Sequence, residues 1–350
     1  MGQPSNRQDG ITTMKQKHIG LIYTGGTVGM EKTTRGYAPM RDFAAALSRL
    51  LDGNDDAVPR YTLHQYAAPI DSSNATPRDW QQIGRDIAAR YHDYDGFVVL
   101  HGTDTMAYTT AALSYMLQGV RKPVIVTGSQ IPLSVARSDA PHNLITSLQL
   151  AASDAIHEVA LYFNQRLLRG NRATKLSAER LDAFDSPNYP WLGEAGIDVR
   201  LNHAALLPNP GQERFELPEY GNSTVLPVRF VPGLPLRAVQ ALLDLKPEAV
   251  ILQCYGAGNV PDRDPALLDM LARADAAGMV LVAGSQALHG RVTIGAYAAG
   301  AGMIDAGVIG AGDMTFEAAF VKLHHLFARG LPAAEVKTEF LRDLCGERSV

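Results

Sequence analysis

Cysteine is nearly absent: Cys254 and Cys345 are the only two in 350 residues. Two thiols so far apart form neither a metal-type spacing nor a disulfide scaffold, and Cys254, after an apolar run, reads as a buried thiol. Long apolar runs are missing too. No window of 18 apolar residues occurs, which excludes a membrane-spanning helix, and the polar first 17 residues contain no secretory-type apolar stretch. Positive charge is not in excess: 32 Lys and Arg stand against 36 Asp and Glu, a net charge of −4. That excludes the basic footprint of a nucleic-acid-binding domain. There is no internal repeat and no low-complexity segment. The expectation is a cytoplasmic globular protein that binds neither nucleic acid nor membrane.

What is present suits a globular enzyme. Hydrophobic residues make up 46% and charged residues 19%, enough to bury a sizeable core. Short apolar runs at Ile19–Tyr23, Phe97–Leu100, Pro123–Thr127 and Val159–Asn164 predict strands. Helical patterns fall between them at Pro77–Tyr91, Thr105–Leu117 and Asp139–Ser153. That alternation predicts an α/β fold with a doubly wound, mostly parallel sheet in a larger N-terminal domain, 17–201, after a flexible tail, 1–16. Prolines, glycines and charges gather over 202–224, which reads as a linker or an exposed hairpin. A smaller C-terminal α/β domain, 225–350, is expected from Ala249–Gln253, Pro265–Ala277, Val280–Ala283 and a closing helix over Thr315–Ala328.

Two turns invite chemistry. The first strand runs into Thr24-Gly25-Gly26-Thr27-Val28-Gly29, where two glycines permit a sharp turn and close backbone approach to a ligand. In open α/β sheets ligands bind beyond the carboxyl ends of strands. The dinucleotide fingerprint fails because Thr24 stands where its first glycine belongs, and no Gly-Lys-Ser/Thr follows for a phosphate loop. A plain turn with capping hydroxyls is the alternative. The second strand ends in His101-Gly102-Thr103-Asp104-Thr105. Thr103 or Asp104 would suit a helix N-cap. Equally, a threonine hydroxyl beside a carboxylate suits nucleophilic chemistry once a base is near. His101 reads as packing beneath the loop rather than as that base. Lys175 is either a surface charge, a neutral catalytic base whose pKa is lowered by burial, or an ammonium paired with Asp104.

Taken together, these turns resemble the bacterial-type L-asparaginases, nearest to the type I, cytoplasmic branch. The likeness continues through Asp71-Ser72-Ser73, Lys122 to Gln130 (KPVIVTGSQ), Arg169-Gly170-Asn171-Arg172, Tyr255-Gly256-Ala257-Gly258-Asn259 and Gly312-Asp313-Met314-Thr315, and so covers nearly the whole chain. The resemblance implies hydrolysis of L-asparagine to L-aspartate and ammonia through an acyl-enzyme, with no cofactor and no metal. It implies Thr27 as primary nucleophile, oriented by Tyr37 on a mobile loop. Thr103, Asp104 and Lys175 would form a second catalytic set. Ser72, with Ser73 beside it, would hold the substrate α-carboxylate, Asp104 the α-ammonium, and Ser129 would border the scissile amide. Asn259 would come from an adjacent copy in a homodimer or homotetramer, unless it merely supports its own turn.

Some positions depart from that pattern. Asn74 and Ala75 follow Ser73 where Asp-Met is frequent, and Cys254 stands where serine is commoner. Gln253 and Ala287 lie in segments associated with regulation or subunit contact. A glutaminase, using the same groups on a side chain one methylene longer, is the nearest rival. A component of a transamidation complex, an amino-acid sensor without turnover and a nucleotide-binding oxidoreductase are the others.

Overall fold

The structure, a computed structural model, describes residues 16–34, 36–52, 57–262, 265–294 and 298–349. Of the expected tail 1–16, residues 1–15 lie outside the described residues. Contacts divide the chain into two compact units, Met1–Leu217 and Pro218–Val350.

In the first unit the strands are β1 (His18–Gly25), β2 (Met30–Thr33), β3 (Gly36–Pro39), β4 (Arg60–Ile70), β5 (Gly96–Leu100), β6 (Val124–Thr127), β7 (Val159–Phe163), β8 (Arg166–Arg169), β9 (Thr174–Lys175), β10 (Phe184–Asp185), β11 (Gly193–Ala195) and β12 (Val199–Leu201). Eight of them form one sheet in the order β12-β11-β8-β7-β6-β5-β1-β4. The strands β4, β1, β5, β6 and β7 are parallel, and the rest of that sheet pairs antiparallel. Every residue of β5 is buried, as is every residue of β6 and β7. A parallel strand covered on both faces must be apolar throughout, which is why these runs lack alternation. Ile19, Leu21, Val98 and Leu100 belong to one core with Phe43 and Leu47 of helix Phe43–Leu51 and with Leu144 and Leu148 of helix Ala140–Ala151. The intervening residues Ile22, Phe97 and Val99 are equally buried. Helices Pro77–Ala89 and Met106–Met116 touch through Gly84, where an added Cβ would meet the Met116 sulfur.

Sequence periodicity did not predict β4. It is the edge strand, half-exposed, with His64, Gln65 and a proline interrupting any apolar run. Nor did it predict the β2–β3 hairpin, most of which is exposed or half-exposed. Residues 202–224 carry neither helix nor strand, so no hairpin forms there. Residues 207–216 are instead laid along the first unit: Leu207 N donates to Glu158, Arg214 N to the Gln118 carbonyl and Glu216 N to the Met116 carbonyl.

The second unit holds a four-stranded parallel sheet in the order β13 (Val225–Arg229), β14 (Ala249–Cys254), β15 (Val280–Ser285) and β16 (Ile309–Gly310). Val250 and Leu252 face a core shared with helices Leu236–Leu243 and Pro265–Ala276. Ile251 faces the opposite core, with helices Phe316–Ala328 and Ala333–Leu341. The last of these helices went unpredicted. Among the described residues no helix is long and apolar enough to cross a membrane.

Candidate active site

Strand β1 lies between β4, which follows it in the sheet, and β5, from which the sheet continues to β6. Successive connections therefore depart to opposite sides of β1 and β5. Such a switch point opens a crevice beyond the carboxyl ends of the two strands. Both threonine turns lie at that crevice.

The first turn is locked from below. Thr24 is buried, and its hydroxyl donates to the Leu100 carbonyl at 2.8 Å. Gly26 adopts φ +89° and ψ 177°, a conformation that L side chains rarely adopt. A Cβ there would also collide with the Gly102 backbone, so the two turns pack backbone to backbone. Thr27 and Thr103 each stand one Cα step, about 3.8 Å, from that contact. A short 3-10 turn, Thr27–Gly29, then leads into the β2–β3 hairpin. Leu133 N donates to Val28 O at 3.2 Å and Met40 N to Gly29 O at 2.8 Å, which pins the turn from outside. Thr27 is half-buried, and its hydroxyl has no hydrogen-bond partner among the described residues.

The second turn carries the charged groups. Lys175, at the end of β9, donates from Nζ to Thr103 Oγ1 and to Asp104 Oδ1, both at 2.9 Å. Thr103 is buried and in turn donates to Gln130 Oε1 at 3.1 Å. Asp104 is largely exposed, its side chain at 63%, against 19% for Lys175. An ion pair so exposed adds little stability. Neither Thr103 nor Asp104 caps the next helix. Thr105 occupies the N-cap, and its hydroxyl donates instead to the Ser72 carbonyl at 2.8 Å.

His101 packs beneath this loop, fully buried. Its Nδ1 lies 2.7 Å from the Gly102 carbonyl and its Nε2 3.0 Å from the Thr109 hydroxyl. The carbonyl can only accept, so Nδ1 carries the proton and Nε2 accepts from Thr109. Burial holds the ring below the usual histidine range and so keeps it neutral.

Ser72 begins a 3-10 turn, Ser72–Asn74, immediately after β4. It is buried, and a Cβ on Gly102 would strike its hydroxyl. Asp71 anchors this turn by accepting from Ser73 N at 3.1 Å, and that hydrogen bond holds the Asp71 carboxyl below its ordinary range. Ser73 itself is exposed. Ser129, in the loop after β6, is 1% exposed, and its hydroxyl has no partner among the described residues.

Two expected residues are not drawn into this cluster. Tyr37 is 53% exposed on β3, where it pairs across the hairpin with Lys32. Asn259 is in the second unit, where its backbone closes a tight loop by paired bonds with Tyr255 at 2.8 and 2.9 Å. Conversely, three residues that the sequence left without a role support the site. Asp139 accepts from Gln130 N at 3.0 Å and Ile131 N at 2.9 Å. Asn143 donates to the Gly128 carbonyl at 3.0 Å and to Asp139. Gln130 bonds Thr103. The signal for Asp139 was its place at the start of a predicted helix, two residues before a proline-histidine-asparagine run; nothing in the pattern points it backwards at the loop. Among the described residues no group of three or more His, Cys, Asp or Glu could hold a metal ion.

Comparison with known proteins identifies the family. The family model described as Asparaginase, N-terminal matches residues 18–207, and that of the Glutaminase/Asparaginase C-terminal domain matches residues 224–340. L-asparaginase 1 of Escherichia coli strain K12 is 44% identical over 335 residues, 95% of this chain and 98% of that protein. The L-asparaginase of Thermococcus kodakarensis is 35% identical over 331 residues, 93% of this chain and 98% of that protein. Among solved structures, L-asparaginase I from Vibrio cholerae matches with a TM-score of 0.88 at 42% identity, covering 95% of this chain and 99% of that one.

Proposed function

Since the chain belongs to the asparaginase family, we propose that it hydrolyses the side-chain amide of L-asparagine, in the cytoplasm, with Thr27 as nucleophile. The observation that carries this reading is the contact of Gly26 with the Gly102 backbone, which sets Thr27 beside the Thr103–Lys175–Asp104 group.

Asparagine is a zwitterion, and the cleft supplies a group for each charge. Asp104 takes the α-ammonium and Ser72, with Ser73 beside it, takes the α-carboxylate. Charge-assisted bonds of this kind both orient and bind. The Thr27 oxygen bonds to the amide carbon, the C–N bond breaks, and the hydroxyl proton leaves with the nitrogen as ammonia. Water then adds to the ester carbon, releases aspartate and restores the Thr27 hydroxyl. Holding the amide against Thr27 removes up to about 7–11 kcal/mol of the barrier. Backbone N–H groups of the glycine turns face the developing oxyanion, and each such donor is worth about 100- to 1,000-fold in rate. Ser129 borders the amide, Tyr37 closes over Thr27 when the hairpin moves inward, and Asn259 completes the site from a neighbouring copy in a homodimer or homotetramer.

The test is ammonia release from asparagine and from glutamine, with Thr27→Ala and Thr103→Val measured alongside. Asparagine gives the higher kcat/KM, and both variants lose nearly all turnover while melting as the parent does. An active Thr27→Ala enzyme sinks the nucleophile assignment. A preference for glutamine sinks the substrate, and binding without turnover points to a sensor.

A further inference from the structure

Gln130 neither holds the asparagine nor takes its acyl group, yet it is tied on three sides. Its Nε2 faces two backbone carbonyls of the loop after β9, Arg180 O at 3.2 Å and Ser177 O at 3.5 Å. Reversing the amide would set its oxygen against both carbonyl oxygens, acceptor on acceptor. The partners therefore fix which end is nitrogen. The other end, Oε1, faces Thr103 Oγ1 at 3.1 Å and can only accept. The Thr103 hydroxyl has one proton, and that proton is committed to Gln130. The same hydroxyl oxygen accepts from Lys175 Nζ at 2.9 Å. The Gln130 backbone is clamped in turn by the Asp139 carboxylate, which itself accepts from Asn143 at 3.2 Å.

We propose that Gln130 is a positioning residue that holds the Thr103 proton on its amide oxygen, so that Thr103 stays a neutral hydroxyl and the acyl group goes to Thr27. This deepens the reading above and rests on it. An amide oxygen is no base, so the Thr103 proton has no exit along this bond. Lys175 donates into the Thr103 oxygen and does not withdraw from it. One lone pair of Thr103 remains, and it accepts a hydrogen bond from the water that opens the ester. The loop 177–180 thereby gains a grip on the catalytic cluster through a single side chain.

Two full-length variants test this. Gln130→Met keeps the shape and removes both ends of the bridge. It lowers kcat about 10- to 100-fold and changes KM by less than about threefold, with the melting temperature of the parent. Gln130→Glu reads the bond directions. When protonated, its carbonyl oxygen accepts from Thr103 and its O–H donates to the Arg180 carbonyl, which reproduces the amide. When ionised it has no donor for either carbonyl. Its kcat, divided by that of wild type at each pH, therefore rises as pH falls from about 8 to about 5, towards the usual glutamate range near 4.3. A purely structural role gives no such trend. Wild-type kcat in Gln130→Met, or a flat Gln130→Glu ratio, overturns the proposal. A wild-type enzyme that releases no ammonia from asparagine instead overturns the function on which it rests.

Discussion

Gly102 is where a single methyl group would press on a proposed substrate-binding side chain. A Cβ there would strike the Ser72 hydroxyl and lie 2.7 Å from the Ser72 Cβ. Gly102 is not among the positive-φ residues, so the cost is one of space and not of backbone conformation. Ser72 must move, and its proposed bond to the substrate carboxylate goes with it. Gly102→Ala should raise KM for asparagine about 10- to 100-fold, the worth of a hydrogen bond to a charged group, with a smaller change in kcat. An unchanged KM would show that Ser72 does not hold the carboxylate. At this scale the sequence was informative where a glycine or threonine sits at a strand end, because those positions face the crevice whatever surrounds them. It gave no role to Gln130, Asp139 or Asn143. Apart from the Asn143–Asp139 bond within one helical turn, their partners lie 8 to 50 residues away, as in Gln130 to Arg180 and Ile131 to Asp139, and such pairings carry no local pattern.

Among the elements, strands buried on both faces were legible and edges were not. Strands β5, β6 and β7 stood out as unbroken apolar runs, whereas β4 and the β2–β3 hairpin mix exposed and half-exposed residues and so lack one. Helix Phe316–Ala328 is legible because it packs its apolar side into the second unit, but no local pattern marks its two buried histidines. His325 Nδ1 bonds the Tyr220 hydroxyl at 2.7 Å, and His324 Nδ1 bonds the Ser223 hydroxyl at 2.9 Å. Burial pushes His324 down from 6.5 to about 4, partly offset by Glu248. The folded ring binds its proton less readily than the unfolded one, so its contribution is complete above about pH 6.5 and is lost as pH falls towards 4. The loss amounts to about 3 kcal/mol over that window. The melting temperature should therefore decline from pH 7 to pH 5, and His324→Gln, which keeps a polar partner for Ser223, should flatten that decline. An equal slope in parent and variant would remove His324 as the cause.

Across the whole molecule, the proposed site residues are shared unequally between the two α/β units. The larger unit alone assembles Thr27, Thr103, Asp104, Lys175, Ser72 and Ser129, because its strand order opens a crevice where β1 and β5 end side by side. That order was only partly readable. Alternating strands and helices imply a parallel sheet, but β4 had to be seen before a switch point could be located. The proposed chemistry turns on Thr27 as the residue that carries the acyl group. Rapid acid quenching during asparagine turnover, followed by peptide mass analysis, reads this directly. The peptide containing Thr27 should become heavier by one aspartyl ester while the peptide containing Thr103 stays unmodified. An aspartyl group on Thr103 with none on Thr27 would contradict it.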